Sequence, residues 1–194
     1  MPTEQINERD FAQRLEDIFK KEPQIMAILK AMRQLELPDC WLAGGAVRNT
    51  VWQHLYGNNC QLTIKDFDIV FFDKDAGRPV ETKAKESLIV QFPGLLFDVK
   101  NQASFGHWRP WRYRFKSTTD GIAHFLHPAT GIGIRLSNDG AFEYCSEYGL
   151  SDLFEGILRS TPFPDAYDDS LAKAILLKSK CSPLKLVGYD KPEE

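Results

Sequence analysis

Two acidic residues and two glycines stand where magnesium-dependent phosphoryl chemistry would need them. Asp66 and Asp68 lie two apart in DFDIVFFD, so on a strand both carboxylates project from one face. Gly44 and Gly45 come just before residues 46–56, a predicted helix whose free N–H groups would face an anion. Carboxylate oxygens are the ligands that Mg²⁺ prefers. The pattern therefore predicts a metal site beside a phosphate site.

Each half of this pattern has a plainer interpretation. A glycine pair before a helix also occurs where a tight turn packs closely, and an acid pair can form an ion pair, here with Lys65 or Arg48. The hydrophobic run after the acids favours the metal, because carboxylates beside IVFF are costly to bury without a cation. The sequence contains neither GxxxxGK[ST] nor GxGxxG, which excludes a P-loop and a Rossmann nucleotide site.

Asp98 is predicted to be the third carboxylate of this site. It stands in LLFDVK, residues 95–100, where the alternation of apolar and polar residues predicts a strand. The alternative is a surface acid paired with Lys100.

The elements that would position these residues alternate between helices and strands. Helices are predicted over residues 7–21, 23–37, 46–56, 80–92, 119–127, 151–158 and 169–179. Strands are predicted over residues 40–43, 62–72, 95–100, 131–136 and 141–145, the last two joined by a hairpin turn at residues 138–140. This order predicts an α/β (α+β) fold with a mixed central sheet flanked by helices.

One compact domain is expected, in three parts. Residues 1–39 are predicted to form helices that pack on the sheet, residues 40–160 to form the core, and residues 161–194 to add a helix and a tail that frays from residue 183.

Composition limits the partners and the compartment. The formal charge is −3, from 24 basic and 27 acidic residues, so no global nucleic-acid-binding charge is present. The four cysteines form no CxxC pair, which is typical of reduced thiols, and neither a signal peptide nor an apolar membrane span is found. A cytoplasmic protein without a membrane partner is expected.

LAGGAVRN followed by DFDIVFFD resembles the nucleotidyltransferase signature of the DNA polymerase β superfamily. The glycine pair is most similar to the GGAVRD motif of tRNA CCA-adding enzymes. The chain resembles still more a family of small stand-alone bacterial nucleotidyltransferase-like proteins, through WLAGGAVRNTVW, DFDIVFFD, FDVKNQ, GIGIRL and YGLSDLF across residues 41–154. The resemblance implies a polymerase-β-like nucleotidyltransferase fold.

The resemblance also implies roles for these residues. Gly44 and Gly45 would hold the phosphates of an NTP, while Asp66 and Asp68 would ligate two Mg²⁺ ions, with Mn²⁺ as the alternative metal. Asp98 would ligate the ion that activates the attacking hydroxyl. The three acids would be catalytic, and a nucleoside monophosphate would pass from the NTP to an acceptor hydroxyl with release of pyrophosphate.

Further residues are predicted to contact the nucleotide. Arg48 would neutralise charge on the triphosphate, or alternatively would form a structural bridge to an aspartate. Lys100, Asn101 and Gln102 directly follow the third acid and are expected to contact the nucleotide. Asn49 replaces the aspartate of GGAVRD, which argues against a CCA-adding role.

The acceptor stays open among RNA, protein and a small molecule. Modification of RNA or protein by a toxin–antitoxin-type nucleotidyltransferase is one alternative, and a nucleotide-binding or partner-binding module without turnover is another. The Trp- and Arg-rich segment 107–115 would bind the acceptor or cover the core. His124 and His127 are predicted to be a surface pair.

Overall fold

The structure, a computed structural model, describes residues 8–107, 113–162 and 167–189. Within these ranges the chain forms seven α-helices: α1 Glu8–Lys20, α2 Pro23–Gln34, α3 Gly45–Tyr56, α4 Arg78–Gln91, α5 Thr118–Ala123, α6 Ser151–Glu155 and α7 Tyr167–Lys180. The same ranges contain seven strands: β1 Trp41–Ala43, β2 Phe67–Phe71, β3 Phe97–Asn101, β4 Ile132–Leu136, β5 Phe142–Ser146, β6 Ile157–Leu158 and β7 Lys185–Leu186. Short 3-10 helices follow α3 and β3, at Gly57–Asn59 and Gln102–His107.

Strands β1 to β5 form one mixed sheet in the order β3-β2-β1-β4-β5. β2 and β3 are parallel neighbours, because α4 carries the chain back between them, and the other neighbouring pairs are antiparallel. The hairpin between β4 and β5 turns at the predicted place, where Gly140 has a φ of 90°. The predicted mixed sheet flanked by helices is confirmed.

The two faces of the sheet have different neighbours. Phe67, Ile69 and Phe71 of β2 enter the main hydrophobic core, which also contains the buried faces of α1, α2, α3 and α4. Side chains alternate along a strand, so Asp68 and Val70 face the other side, where Val70 joins a smaller cluster with Ile122 of α5. One face of the sheet therefore packs on the main core, and the other carries a smaller cluster beside the Asp68 carboxyl.

The C-terminal residues differ from the sequence prediction. β7 pairs in parallel with β6, and Leu184 is fully buried. The predicted fraying from residue 183 is wrong as far as residue 189, because a two-residue strand is too short for its periodicity to be detected. No helix among the described residues is long and apolar enough to cross a membrane.

Candidate active site

The turn between β1 and α3 has a backbone geometry that glycine adopts readily and other residues do not. Gly44 has φ 72° and ψ −133°. A Cβ at this position would lie 2.7 Å from Asp68 Oδ2 and 3.1 Å from the ring of Phe125. At Gly45 the nearest atom to a Cβ would be Arg48 Nη2, at 3.8 Å. Gly44 therefore lets the backbone of the turn lie directly against the Asp68 carboxyl.

Strands β2 and β3 place two of the predicted acids side by side. Asp68 is the register partner of Asp98 across the parallel pair, so both side chains project from the same face. Asp66 lies one residue before β2 begins, since the strand is shorter than the predicted 62–72, and it is exposed. All three acids line one cavity. Their catalytic role stays a prediction.

The fold resists the ionisation of Asp68. Burial raises the pKa of its carboxyl to about 6, and the nearby charges of Asp66 and Asp98 act in the same direction. A hydrogen bond from the Gly45 N–H and the charge of Arg48 oppose this shift only in part. A cation among these carboxylates would reverse the balance and favour the ionised form.

Asp98 forms the ion pair that was the alternative interpretation of this residue. Its Oδ1 lies 3.1 Å from Lys100 Nζ, and both side chains are nearly half exposed. The same carboxyl and the same lysine line the cavity. In the described ranges, no group of three or more His, Cys, Asp or Glu side chains is arranged to hold a metal ion. The acids offer hard oxygen ligands at one place without forming a ready-made cage.

Arg48 is buried. Among the described residues, no carboxylate forms a salt bridge with its guanidinium. Its Nε and Nη2 donate to Asn49 Oδ1 at 3.0 and 2.9 Å, and its Nη1 donates to Thr130 Oγ1 at 2.8 Å. Burial lowers the pKa of the guanidinium to about 10. The alternative of a direct bridge to an aspartate is not what the structure shows. Because Asn49 is neutral, the charge of Arg48 remains available at the cavity wall.

Asn101 lies away from this cavity, in contrast to the other residues predicted for the nucleotide. Its side chain is buried, accepts from the N–H groups of Asp73 and Ala103 at 3.0 and 3.1 Å, and donates to the carbonyls of Asp73 and Ala76 at 2.6 and 3.2 Å. Through these hydrogen bonds Asn101 holds the end of β3 against the loop after β2. Gln102, its neighbour, does line the cavity.

Asn101→Ala is expected to lower the free energy of unfolding by about 2–4 kcal/mol, because it leaves buried N–H and C=O groups without partners. Urea unfolding measures this loss. Calorimetric titration of the folded variant with nucleotide should give the same affinity as wild type. A variant that keeps wild-type stability and binds nucleotide weakly would instead assign Asn101 to the nucleotide.

The cavity has a volume of about 710 Å³, which is in the range of sites for ligands of nucleotide size, about 300–1,000 Å³. Its walls are of three kinds, acidic, aromatic and basic. The aromatic wall contains Tyr113, Phe115, His124 and Phe125, and the basic wall contains Arg48, Lys65, Lys173 and Lys180. Sequence reasoning missed the contribution of α7, although Lys173 and Lys180 are seven apart and therefore on one helical face.

Two further predictions concern residues at or near the aromatic wall of the cavity. Residues 108–112 lie outside the described residues, so the predicted role of segment 107–115 stays untested. Of its described residues, Tyr113 and Phe115 line the cavity. The prediction of a surface histidine pair is wrong for His127, which is 1% exposed and has its Nε2 3.0 Å from the Ser170 carbonyl oxygen.

Comparison with known proteins gives the following likenesses. A family described as "Nucleotidyltransferase" matches residues 30–186. An NMR structure whose description states that it "reveals a CCA-adding enzyme head domain" is 28% identical with a TM-score of 0.77, and the match covers 90% of this chain and 94% of that one. The Thermotoga maritima CCA-adding enzyme, complexed with tRNA, is 15% identical with a TM-score of 0.56. This match covers 84% of this chain and 38% of the enzyme, and it shows a similarity of fold alone. A comparison with curated proteins gave no match.

Proposed function

Since the chain belongs to the nucleotidyltransferase family, we propose that it transfers a nucleoside monophosphate from an NTP to an acceptor hydroxyl and releases pyrophosphate. One observation carries this proposal. Asp68 and Asp98 lie side by side on parallel β2 and β3, and the Asp68 carboxyl lies against the Gly44 turn that begins α3. Carboxylates next to a helix N-terminus put metal ligands beside a phosphate-binding position.

The proposed metal is Mg²⁺, with Mn²⁺ as the alternative. Asp66, Asp68 and Asp98 would hold it. Burial and then the charges of Asp66 and Asp98 raise the pKa of Asp68, and a bound cation would offset both effects. When bound, the metal would balance charge on the attacking and leaving oxygens. Lys100 would have to release Asp98, since the two side chains form an ion pair.

The nucleotide would lie between the remaining walls of the cavity. The Gly44–Gly45 turn and the charge of Arg48 would contact its phosphates. The rings of Tyr113, Phe115 and Phe125 are placed to stack on its base, which requires no particular base.

The acceptor is proposed to be RNA, a protein or a small molecule. The CCA-adding enzyme of similar fold is complexed with tRNA, but Asn49 stands here where the GGAVRD motif has aspartate. A specific observation also favours a second candidate, a nucleotide-binding module without turnover. Asp98 is paired with Lys100, which competes with a metal for this carboxylate.

The test is transfer of label from each NTP, labelled at the α-phosphate, in the presence of Mg²⁺. Separate RNA, protein and small-metabolite pools serve as acceptors, and the pool that gains label identifies the acceptor class. Asp98→Asn should lose transfer by roughly 100-fold or more, while Asp75→Asn, in an exposed loop, should not. NTP binding without label in any pool would favour the binding module.

A further inference from the structure

Helix α7 turns one basic face towards the candidate active site. Lys173, Leu176, Leu177 and Lys180 follow the i, i+3, i+4, i+7 spacing of one helical face, and all four line the cavity. Lys173 shares this cavity with Arg48 on α3 and Lys65 in the loop before β2. Three distant parts of the sequence therefore bring cations to one wall.

The position of α7 is fixed by buried contacts with the loop after α5. The Ser170 Oγ donates to the Leu126 carbonyl at 3.2 Å, and His127 Nε2 lies 3.0 Å from the Ser170 carbonyl oxygen. Burial lowers the pKa of His127 to about 4, so its ring is neutral at pH 7. The same loop continues to Thr130, which accepts the hydrogen bond from Arg48. One loop thus sets the positions of both Arg48 and the helix that carries Lys173.

The cations on this wall lack matching anions in ion-pair contact. Among the described residues, Arg48, Lys65 and Lys173 form no salt bridge. Burial lowers the pKa of Lys173, and so do the charges of Arg48 and Lys65, whereas Asp66 and Asp68 act in the opposite direction. Lys173 is therefore close enough to interact electrostatically with both the other cations and the proposed metal ligands. An anion that belongs between these groups would remove the repulsion among the cations.

We propose that Lys173 of α7, together with Lys65 and Arg48, binds the β- and γ-phosphates of the NTP. This inference rests on the proposed function. The lysines act as point charges on the part of the nucleotide that leaves as pyrophosphate. The helix would make the protein selective for triphosphates, because a nucleoside monophosphate does not reach this wall with the phosphates that Lys173 contacts.

The experiment measures the affinity of the full chain for inorganic tripolyphosphate, the four NTPs and the four NMPs by calorimetry. Lys173→Ala is expected to weaken the binding of tripolyphosphate and of NTPs by about tenfold and to leave NMP binding unchanged. Lys173→Arg keeps the charge and should stay within about threefold of wild type. Lys85→Ala is the matched control, since it removes the same charge from an exposed position of α4 outside the cavity.

The outcomes separate this inference from the proposed function. If wild type binds NTPs and Lys173→Ala binds them equally well, or loses NTP and NMP affinity to the same extent, the triphosphate assignment is wrong and the nucleotide site survives. If wild type binds tripolyphosphate through Lys173 but binds no NTP, the anion subsite stands and the proposed function fails. If wild type binds neither, both are overturned.

Discussion

Gly44→Ala is expected to lower the free energy of unfolding by about 2–6 kcal/mol and to remove nucleotide binding. Two effects add. The backbone of Gly44 has a φ of 72°, a region that other residues occupy at a cost of about 1–3 kcal/mol. The added methyl group would also meet Asp68 Oδ2 at 2.7 Å and the Phe125 ring at 3.1 Å, and overpacking of this kind costs about 1–3 kcal/mol. The collision displaces a proposed metal ligand, so function is lost together with stability.

Gly45→Ala is the matched control for the effect of this substitution on stability. The same methyl group there meets nothing nearer than Arg48 Nη2 at 3.8 Å, and Gly45 is the first residue of α3. Alanine favours the helix over glycine by up to about 1 kcal/mol, so stability should be unchanged or slightly higher. Urea unfolding of both variants measures the difference in stability, and calorimetric titration of Gly44→Ala with NTP measures its loss of nucleotide binding. Equal stability of the two alanine variants would show that the turn does not depend on glycine at position 44.

The sequence was sufficient to predict the β1–α3 turn and the acids of β2 and β3, because each depends on local patterns. Alternating apolar residues place Asp68 and Asp98 on strands, and a glycine pair before a helix marks the turn. That β2 and β3 are parallel neighbours was not predicted, and the structure shows it. The register of this pair brings Asp68 beside Asp98, while the catalytic role of the two acids stays a prediction.

The remaining walls of the cavity depend on tertiary contacts that leave little trace in the sequence. Lys173 lies more than 100 residues from Gly45, and only the docking of α7 through Ser170 and His127 brings it to the site. Asn101 is the opposite case, because its predicted nucleotide contact stays untested while the structure gives its side chain other partners. Its place next to Asp98 and Lys100 suggests a ligand contact, but the alternation of side chains along β3 turns it to the other face, where it bonds the loop at residues 73–76.

Asp68→Asn is expected to stabilise the metal-free protein while it abolishes transfer. The pKa of Asp68 is about 6 in the folded protein and about 3.9 in an unfolded chain. Below pH 4 the carboxyl is protonated in both states. Between pH 4 and 6 the unfolded chain releases the proton first, so ionisation favours unfolding and stability falls as pH rises. Above pH 6 the loss is complete, and removing the carboxylate should recover about 1–3 kcal/mol at pH 7.5.

Transfer activity should fall by roughly 100-fold or more in Asp68→Asn, because an amide oxygen is a weaker ligand than a carboxylate for a doubly charged ion. Mg²⁺ should raise the melting temperature of wild type at pH 7.5, where the bound ion compensates the repulsion among Asp66, Asp68 and Asp98. The same addition should leave the melting temperature of Asp68→Asn nearly unchanged. The amide variant would then be more stable than wild type without metal and would lose that advantage when metal is added.

Asp75→Asn provides the control, since it removes one negative charge from an exposed loop position outside the cavity. Its unfolding free energy between pH 4 and 8 and its response to Mg²⁺ should follow those of wild type. A general effect of net charge would shift both aspartate variants alike, whereas a site that concentrates negative charge for a cation shifts Asp68→Asn alone. If Asp68→Asn destabilises the metal-free protein at pH 7.5, its carboxylate is stabilised by existing contacts in the fold and does not need a metal to balance it.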